Sequence, residues 1–355
     1  MSTMLEEIRQ QPEALEKTLR SGLTSAAKLA KTIALESPRL IVLAARGTSD
    51  NAAQFGRYLL EIITGIPVSL AAPSVTTLYH SPLDLRGALV IAISQSGEST
   101  DTNMVLARAK EQGALTAGIT NESKSTLANL ADHVFLVKAG KERSVAATKT
   151  YTGQLLLLYL VAQALGGRIR LDDLRALPEW TAAALTLEPE IRERAERYRF
   201  MERAVVLGRG LNYANTFEFA LKLMETCYVV AERFSSADFL HGPIAMVDSS
   251  LPLFAFAPCG ATWEGIEEVL DKVETLKSEA LLITDKANRA AIARYPKSIV
   301  IPARICRKSR ASQPEELFTP IPYIIPAQLF AASLAAVKSL DADRPRTLSK
   351  VTRTL

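Results

Sequence analysis

Short apolar runs alternate with longer segments of helical spacing from Arg39 onward, and this alternation constrains the fold more than any other feature. The first predicted strands are Leu40–Ala44, Val68–Ala71, Leu89–Ile93, Leu115–Ile119 and Val134–Val137. Helices are predicted at Ser49–Thr64, Asp101–Gln112 and from Thr148 to about Gln163. Strands that alternate with helices predict a parallel sheet covered by helices on both faces.

The opening strand of this pattern returns later in the chain. Val42-Leu43-Ala44-Ala45-Arg46-Gly47 is echoed by Val205-Val206-Leu207-Gly208-Arg209-Gly210. Strands Pro252–Phe256, Ala280–Thr284 and Ser298–Ile301 and helices Thr262–Leu276 and Pro322–Val337 follow. We therefore predict an α/β fold with two tandem doubly wound, flavodoxin-like parallel sheets. The predicted divisions are an N-terminal helical segment (1–37), a first domain (38–185), a second domain (186–340) and a C-terminal tail (341–355).

Two further helical stretches complete the pattern, one over residues 5–35, in which Pro12 is a break or a first-turn residue, and one over Leu171–Tyr198. With 48% hydrophobic and 23% charged residues in 355, the composition is that of a soluble globular protein. The net charge of +4 is small and its basic residues are scattered, so we expect neither nucleic acid nor membrane as a partner. A charged N-terminus without an apolar leader predicts a cytoplasmic location.

The chain has three cysteines and three histidines. Cys227, Cys259 and Cys306 are odd in number and form no close pair, so we predict ordinary buried thiols rather than a disulfide framework or a zinc knuckle. Three histidines also argue against a histidine-rich metal site.

The apolar run that ends at Ile93 is followed by Ser94-Gln95-Ser96-Gly97-Glu98-Ser99-Thr100 and then by a predicted helix. The first N–H groups of a helix have no internal partner, so an anion such as phosphate binds well there. The hydroxyls of Ser94, Ser96 and Ser99 would add donors. The alternative is that Ser99 or Thr100 merely caps the helix.

Gly47-Thr48-Ser49 forms a second strand-to-helix turn with two hydroxyls, and its alternative is a plain cap at Ser49. In open parallel sheets ligands bind beyond the carboxyl ends of the strands, where both turns fall. Neither turn has the glycine spacing of a Walker loop or a dinucleotide fingerprint, so no nucleotide cofactor is predicted.

Other candidate functional residues lie in two stretches, 218–243 and 341–350. Glu218, Lys222 and Glu225 share one helix face, which by itself is most simply a solvated ion-pair stripe. His241 precedes Gly-Pro, and a lone histidine is usually structural. The polar segment from Asp341 to Lys350 is typical of a solvated tail.

Taken together, five motifs resemble the SIS (sugar isomerase) domain family. They are Ser94–Thr102, Ser144-Val145-Ala146-Ala147-Thr148-Lys149, Ala220–Glu225, His241-Gly242-Pro243 and Pro345–Thr352. Their order and spacing resemble the tandem isomerase half of glucosamine-6-phosphate synthases along nearly the whole chain.

This resemblance implies roles for particular residues. Phosphate would be held by Thr48, Ser49, Ser94, Gln95, Ser96 and Ser99, and Val145 would line the sugar pocket. Glu225 would move a proton between C1 and C2, and Ser349 and Lys350 on the tail would reach the open-chain sugar. His241 would complete the site of a neighbouring subunit, so a homodimer with a shared site is expected, with no cofactor.

Several residues depart from the synthase pattern: Ser99, Met224 and Asp238 replace a threonine, a lysine and a glutamate. We expect no glutaminase domain, since no catalytic cysteine follows Met1. Ser-Val-Ala-Ala-Thr-Lys and the terminal Lys-Val-Thr resemble stand-alone glucosamine-6-phosphate deaminases of the SIS type, so we expect the deaminating reaction. The alternatives are a deglycase for fructosamine 6-phosphates, another amino-sugar phosphate isomerase, and a non-catalytic sugar-phosphate sensor.

Overall fold

The computed structural model describes residues 2–307 and 313–350, and these ranges contain two five-stranded sheets with parallel strands throughout. The strands of the first sheet are β1 (Leu40–Ala44), β2 (Val68–Leu70), β3 (Ala88–Ile93), β4 (Leu115–Thr120) and β5 (His133–Leu136). Those of the second are β6 (Arg203–Gly208), β7 (Val230–Ser235), β8 (Leu253–Phe256), β9 (Ala280–Asp285) and β10 (Ile299–Ile301). The orders β2-β1-β3-β4-β5 and β7-β6-β8-β9-β10 are the same, which confirms the predicted tandem doubly wound fold.

The helices fall between and around these strands. In chain order they are α1 (Thr3–Arg9), α2 (Gln11–Ile33), α3 (Thr48–Thr64), α4 (Pro73–Thr77), α5 (Thr100–Glu111), α6 (Thr126–Leu130), α7 (Lys149–Ala164), α8 (Leu171–Leu185), α9 (Glu188–Arg197), α10 (Tyr213–Cys227), α11 (Ser236–Leu240), α12 (Trp263–Thr275), α13 (Arg289–Arg294) and α14 (Pro320–Val337).

The chain divides into two compact units. The β1–β5 unit comprises residues 13–142 and 147–175 and the described residues from Thr347 onward. The β6–β10 unit comprises the described residues up to Pro12 together with 143–146 and 176–346. The domain boundaries expected from the sequence stay predictions.

Each unit has its own core, built from strands and one apolar helix. All six residues of β3 are buried, as expected for a central parallel strand covered on both faces. Helix α7 is buried around nearly its whole circumference in the β1–β5 unit. Helix α14 is long and apolar enough to cross a membrane by length and composition, but 83% of it is buried. Its Phe330 packs against Phe219 and Phe254, so α14 is the core helix of the β6–β10 unit.

Some elements differ from the sequence-based expectation. Strand β7 was not predicted, because its residues Val-Ala-Glu-Arg-Phe-Ser form no continuous apolar run. The helical stretch predicted over Leu171–Tyr198 consists of two helices, α8 and α9, with Pro189 in the first turn of α9.

The prediction of three ordinary buried thiols is wrong for two of them. Cys259 and Cys306 form a disulfide with their Cα atoms 6.0 Å apart. They follow β8 and β10, which flank β9, so the sheet brings together residues 47 positions apart in the chain. Cys227 is a free buried thiol, and burial raises its pKa to about 11. Disulfides are rare in the reducing cytosol, so the cytoplasmic location stays a prediction.

Candidate active site

The turns after β1 and β3 lie side by side, because these parallel strands are neighbours and Ala44 pairs with Ala92. From β1 the sheet extends to β2 on one side and to β3 on the other, so the strand order reverses between these turns. Open parallel sheets bind ligands at this place. Six residues of the predicted binding set lie on the two turns: Thr48, Ser49, Ser94, Gln95, Ser96 and Ser99.

The turn after β3 bends sharply at Gly97, whose φ is +67°. The Gly97 N–H donates to Ser94 Oγ at 3.1 Å, and Glu98 N–H donates to Ser96 Oγ at 3.2 Å. A Cβ on Gly97 would lie 2.1 Å from Ser125 Oγ, so this close approach requires glycine. Both serine oxygens accept from the backbone, which leaves their own O–H groups to donate to a ligand.

The alternative that Ser99 merely caps helix α5 does not describe its side chain. Ser99 occupies the N-cap position, but among the described residues its hydroxyl makes no cap hydrogen bond. Its Oγ instead lies 3.0 Å from Thr102 Oγ1. The first N–H groups of α5 are therefore not capped by the Ser99 side chain, as an anion site at a helix N-terminus requires.

In the turn after β1, Ser49 is not a plain N-cap residue. Gly47 is the N-cap residue of α3, with φ +56°, and Ser49 lies inside the first turn of the helix. Ser49 is buried, and its Oγ accepts a hydrogen bond from Gln154 Nε2 at 3.0 Å. Because helix α7 carries Gln154, the core of the unit fixes the orientation of the Ser49 hydroxyl.

An ion pair joins the two turns. Arg46 lies two residues after the end of β1, and Asp101 lies in the first turn of α5. The Arg46 guanidinium donates to Asp101 Oδ2 at 2.7 Å. Asp101 is 1% exposed. Nearby Asp50 has a pKa raised by burial, which the charge of Arg46 partly offsets. The ion pair therefore links the turn before α3 to the first turn of α5.

A second ion pair lies in the same unit and involves the C-terminal tail. Lys350 Nζ lies 3.0 Å from Glu142 Oε2, and the Glu142 side chain is fully buried. Burial opposes ionisation of Glu142, but the charge of Lys350 and the Thr148 N–H outweigh it and lower the pKa. The tail at Lys350 is thus not simply solvated, while Ser349 beside it is exposed.

In the β6–β10 unit, helix α10 carries the candidate base. Lys222 Nζ lies 2.6 Å from Glu225 Oε2 and 3.5 Å from Glu218 Oε1. Lys222 and Glu218 have no exposed side-chain surface, and Glu225 is 21% exposed. The solvated-stripe alternative is therefore wrong, because two of the three charges are buried.

The other two predicted residues also lie in the β6–β10 unit. His241 is the C-cap residue that follows α11, and it is exposed. Its backbone N–H donates to the Asp238 carbonyl at 3.1 Å. Val145 is half-buried in the segment 143–146, where Glu7 accepts hydrogen bonds from Arg143 N–H and Ser144 N–H. The phosphate-loop candidates and Lys350 thus belong to one unit, and Glu225, His241 and Val145 to the other.

Sequence reasoning missed Glu142 as a functional candidate. It stands between Lys141 and Arg143, where a carboxylate is normally solvated. The one available signal was its position two residues before the motif that begins at Ser144.

Comparison with known proteins identifies the family of the chain. The SIS domain model matches residues 34–164 and 199–338. A glutamine–fructose-6-phosphate aminotransferase (isomerizing) of Pyrococcus horikoshii is 35% identical over 354 residues, which cover 98% of this chain and 57% of that protein. The chain thus spans little more than half the length of this relative.

Solved structures agree. The C-terminal domain of glucosamine-fructose-6-phosphate aminotransferase from Francisella tularensis superposes with a TM-score of 0.83 at 29% identity, covering 97% of this chain and 98% of that one. A glucosamine-6-phosphate deaminase from Thermotoga maritima shares the fold, with a TM-score of 0.77 at 20% identity, covering 99% of this chain and all of that one.

The fold and the family match define a tandem α/β protein built from two SIS domains. The chain belongs to the SIS domain family, and it is similar to the isomerase half of the aminotransferases over nearly its whole length.

Proposed function

We propose that this chain is an amino-sugar phosphate isomerase that converts glucosamine 6-phosphate and water to fructose 6-phosphate and ammonia. The arrangement of α10 is the observation that carries the proposal. Lys222 is buried between two carboxylates, and only Glu225 of the three is partly exposed. A carboxylate held by a buried ammonium and open on one side is suited to take a proton from a bound substrate.

In this proposal the hydroxyls of Thr48, Ser49, Ser94, Ser96 and Ser99 bind the 6-phosphate together with the N-terminus of α5. The Gln95 amide would add a donor. Neutral donors and a helix N-terminus suit a dianion without requiring a buried cation. A phosphate anchored at C6 would hold the reacting end of the sugar in a fixed position, which is a large part of what an isomerase must supply.

The proposed reaction moves one proton and hydrolyses one C–N bond. Glu225 removes the C2 proton of the open-chain 2-amino aldose, and the resulting enolamine regains a proton at C1. The product is a C2 ketimine, which adds water and releases ammonia to leave the 2-ketose. Lys350 would donate a hydrogen bond to a sugar oxygen as charge develops there.

Water is the nucleophile in large excess, which favours hydrolysis of the ketimine when no ammonia donor is present. The motif Ser-Val-Ala-Ala-Thr-Lys and the terminal Lys-Val-Thr also support the deaminating direction. In the reverse direction the same residues would aminate fructose 6-phosphate with free ammonia.

A panel of substrates tests the proposal. Ammonia release should be measured with glucosamine 6-phosphate, N-acetylglucosamine 6-phosphate, galactosamine 6-phosphate and fructoselysine 6-phosphate, and hexosamine formation with fructose 6-phosphate plus ammonia. We expect release from glucosamine 6-phosphate above the others. Preference for fructoselysine 6-phosphate would establish a deglycase, and binding without turnover of any substrate would establish a sensor.

We further propose a homodimer in which the exposed His241 completes the partner's site and assists ring opening. Mixing inactive Glu225→Gln and His241→Ala chains should then restore part of the activity through hybrid sites. Lack of recovery after verified subunit exchange would contradict a shared site, and a monomer at assay concentration would contradict the dimer.

A further inference from the structure

We infer that Glu142 is the positioning residue for Lys350: it holds the tail lysine in place so that its ammonium faces the sugar. Only the contact of Lys350 with a sugar substrate rests on the proposed function. The pairing itself is a property of the β1–β5 unit, with Lys350 Nζ 3.0 Å from Glu142 Oε2.

The Glu142 carboxylate is oriented by hydrogen bonds that do not involve the tail. Its Oε1 accepts from Thr148 N–H at 2.9 Å and Thr150 N–H at 3.2 Å, and its Oε2 accepts from Thr150 Oγ1 at 2.7 Å. Thr148 and Thr150 are themselves fully buried at the start of α7. Both carboxylate oxygens are therefore oriented by the core helix, and Lys350 adds to a prearranged site.

The energetics favour a cation at this place. A buried carboxylate is costly unless it is hydrogen-bonded and paired with a positive charge. Lys350 supplies such a charge from the other end of the sequence, 208 residues away. Its pairing also lowers the pKa of Glu142, after burial has opposed that shift, so the carboxylate stays ionised at neutral pH.

The ammonium is held without being fully enclosed. The Lys350 side chain remains 25% exposed, while that of Glu142 is 0% exposed. A lysine has three N–H donors, and the bond to Glu142 uses one in a defined direction. Pairing therefore removes rotamer freedom from a long side chain while its ammonium stays partly exposed, as preorganisation of a catalytic cation requires.

Lysine acylation tests the pairing without any need for activity. The full chain would be treated with limiting acetylating reagent, and modification of Lys350 measured by mass spectrometry against Lys110. Lys110 is an internal reference because it is ion-paired to Asp132 at 2.9 Å in the same unit. In Glu142→Gln we expect Lys350 acylation to rise with Lys110 unchanged, because the Lys350 ammonium loses the anionic partner that holds it at 3.0 Å.

Matched variants separate the ion pair from general destabilisation. Glu111→Gln removes an exposed carboxylate paired with Arg108 at 2.9 Å and should leave Lys350 acylation unchanged. Glu142→Asp keeps the charge and should restore part of the protection. If Glu142→Gln fails to fold, Thr150→Val still removes one hydrogen bond from Oε2 and should raise Lys350 acylation to a smaller extent.

Kinetics then ask whether the pair positions a catalytic group. Glu142→Gln should lower kcat for ammonia release at least tenfold with little change in KM. In a Lys350→Met background it should lower kcat no further, because the residue through which it acts is gone. Equal losses in both backgrounds would overturn the positioning role, as would unchanged Lys350 acylation in Glu142→Gln. Raised acylation in a chain that releases ammonia from no substrate would instead refute the proposed function while the pairing stands.

Discussion

The carboxyl edges of the two sheets share one topology but hold different chemistry. At the first edge, serine and threonine hydroxyls surround the N-termini of α3 and α5, and Ser96 and Ser99 are partly exposed. At the second edge, the equivalent turns carry Gly208-Arg209-Gly210 and Cys259-Gly260, and Glu316 lies close to Gly260. The first edge presents hydroxyl donors to solvent, whereas at the second edge the turn after β8 is closed and Arg209 is exposed.

The second edge is closed by particular contacts. Gly260 has φ +101°, and a Cβ there would lie 2.6 Å from Glu316 Oε2. Glu316 Oε2 and Thr262 Oγ1 are both buried. The Cys259–Cys306 disulfide joins the loops after β8 and β10 at the same edge.

The difference indicates that the two copies of the fold have different roles, the first in binding and the second in proton transfer. The first sheet offers its strand-end turns for binding, as expected of doubly wound sheets. The second unit instead presents Glu225 from the C-terminal part of helix α10, while its own strand ends are filled. Binding and proton transfer should therefore be separable by mutation.

The largest effect should come from Glu225→Gln. The substitution nearly preserves shape but removes the base, so kcat should fall by on the order of 10²–10⁴ with folding intact. Steady-state ammonia release and a thermal melt on the purified variant measure the two quantities. A rate equal to that of the parent would end the assignment of Glu225 as the base and with it the division of labour.

The next largest effect should appear in binding. Ser94→Ala with Ser96→Ala removes two hydroxyl donors, and each lost hydrogen bond to a charged group costs about 1.5–3 kcal/mol. Titration calorimetry with fructose 6-phosphate should show affinity reduced at least tenfold with little change in thermal stability. Thr262→Val is the matched control at the closed edge and should leave affinity unchanged. Equal losses at both edges would contradict the contrast drawn between them.

A third test concerns what closes the second edge. The disulfide joins residues 47 apart, and cross-links of this kind typically stabilise by about 2–4 kcal/mol. Adding dithiothreitol should therefore lower the melting temperature of the parent by several degrees, and Cys259→Ser should be insensitive to it. Free thiols on both cysteines in the untreated protein, found by intact mass after alkylation, would refute the cross-link.

The sequence predicted the parts of this structure that arise from local pattern. The buried strand β3 and the hydroxyl turn after it were predicted because an apolar run and its polar end are visible over ten residues. Edge strand β7 was not, because Glu232 and Arg233 interrupt its apolar residues. The Glu142–Lys350 pair and the Cys259–Cys306 bond join residues far apart in the chain, and their proximity follows only from the folded units. Glu218 and Lys222 were visible, but their burial was not.

The smallest expected effect concerns Glu316, whose carboxyl group has a pKa raised by burial above the ordinary 4.5. A raised carboxyl pKa means that the folded protein holds this proton more tightly than the unfolded chain does. The corresponding stability is present below pH 4.5 and is lost as the pH rises through the folded-state value. Glu316→Gln is neutral at every pH, so its melting temperature relative to the parent should be higher at pH 8 than at pH 4.5, by about 2–4 °C for each kcal/mol regained. Glu193→Gln, at an exposed position in the same unit, is the control, because its neutralisation relieves little desolvation. If the difference between Glu316→Gln and the parent stayed constant from pH 4.5 to 8, the second edge would not be closed around an ionisable carboxyl group.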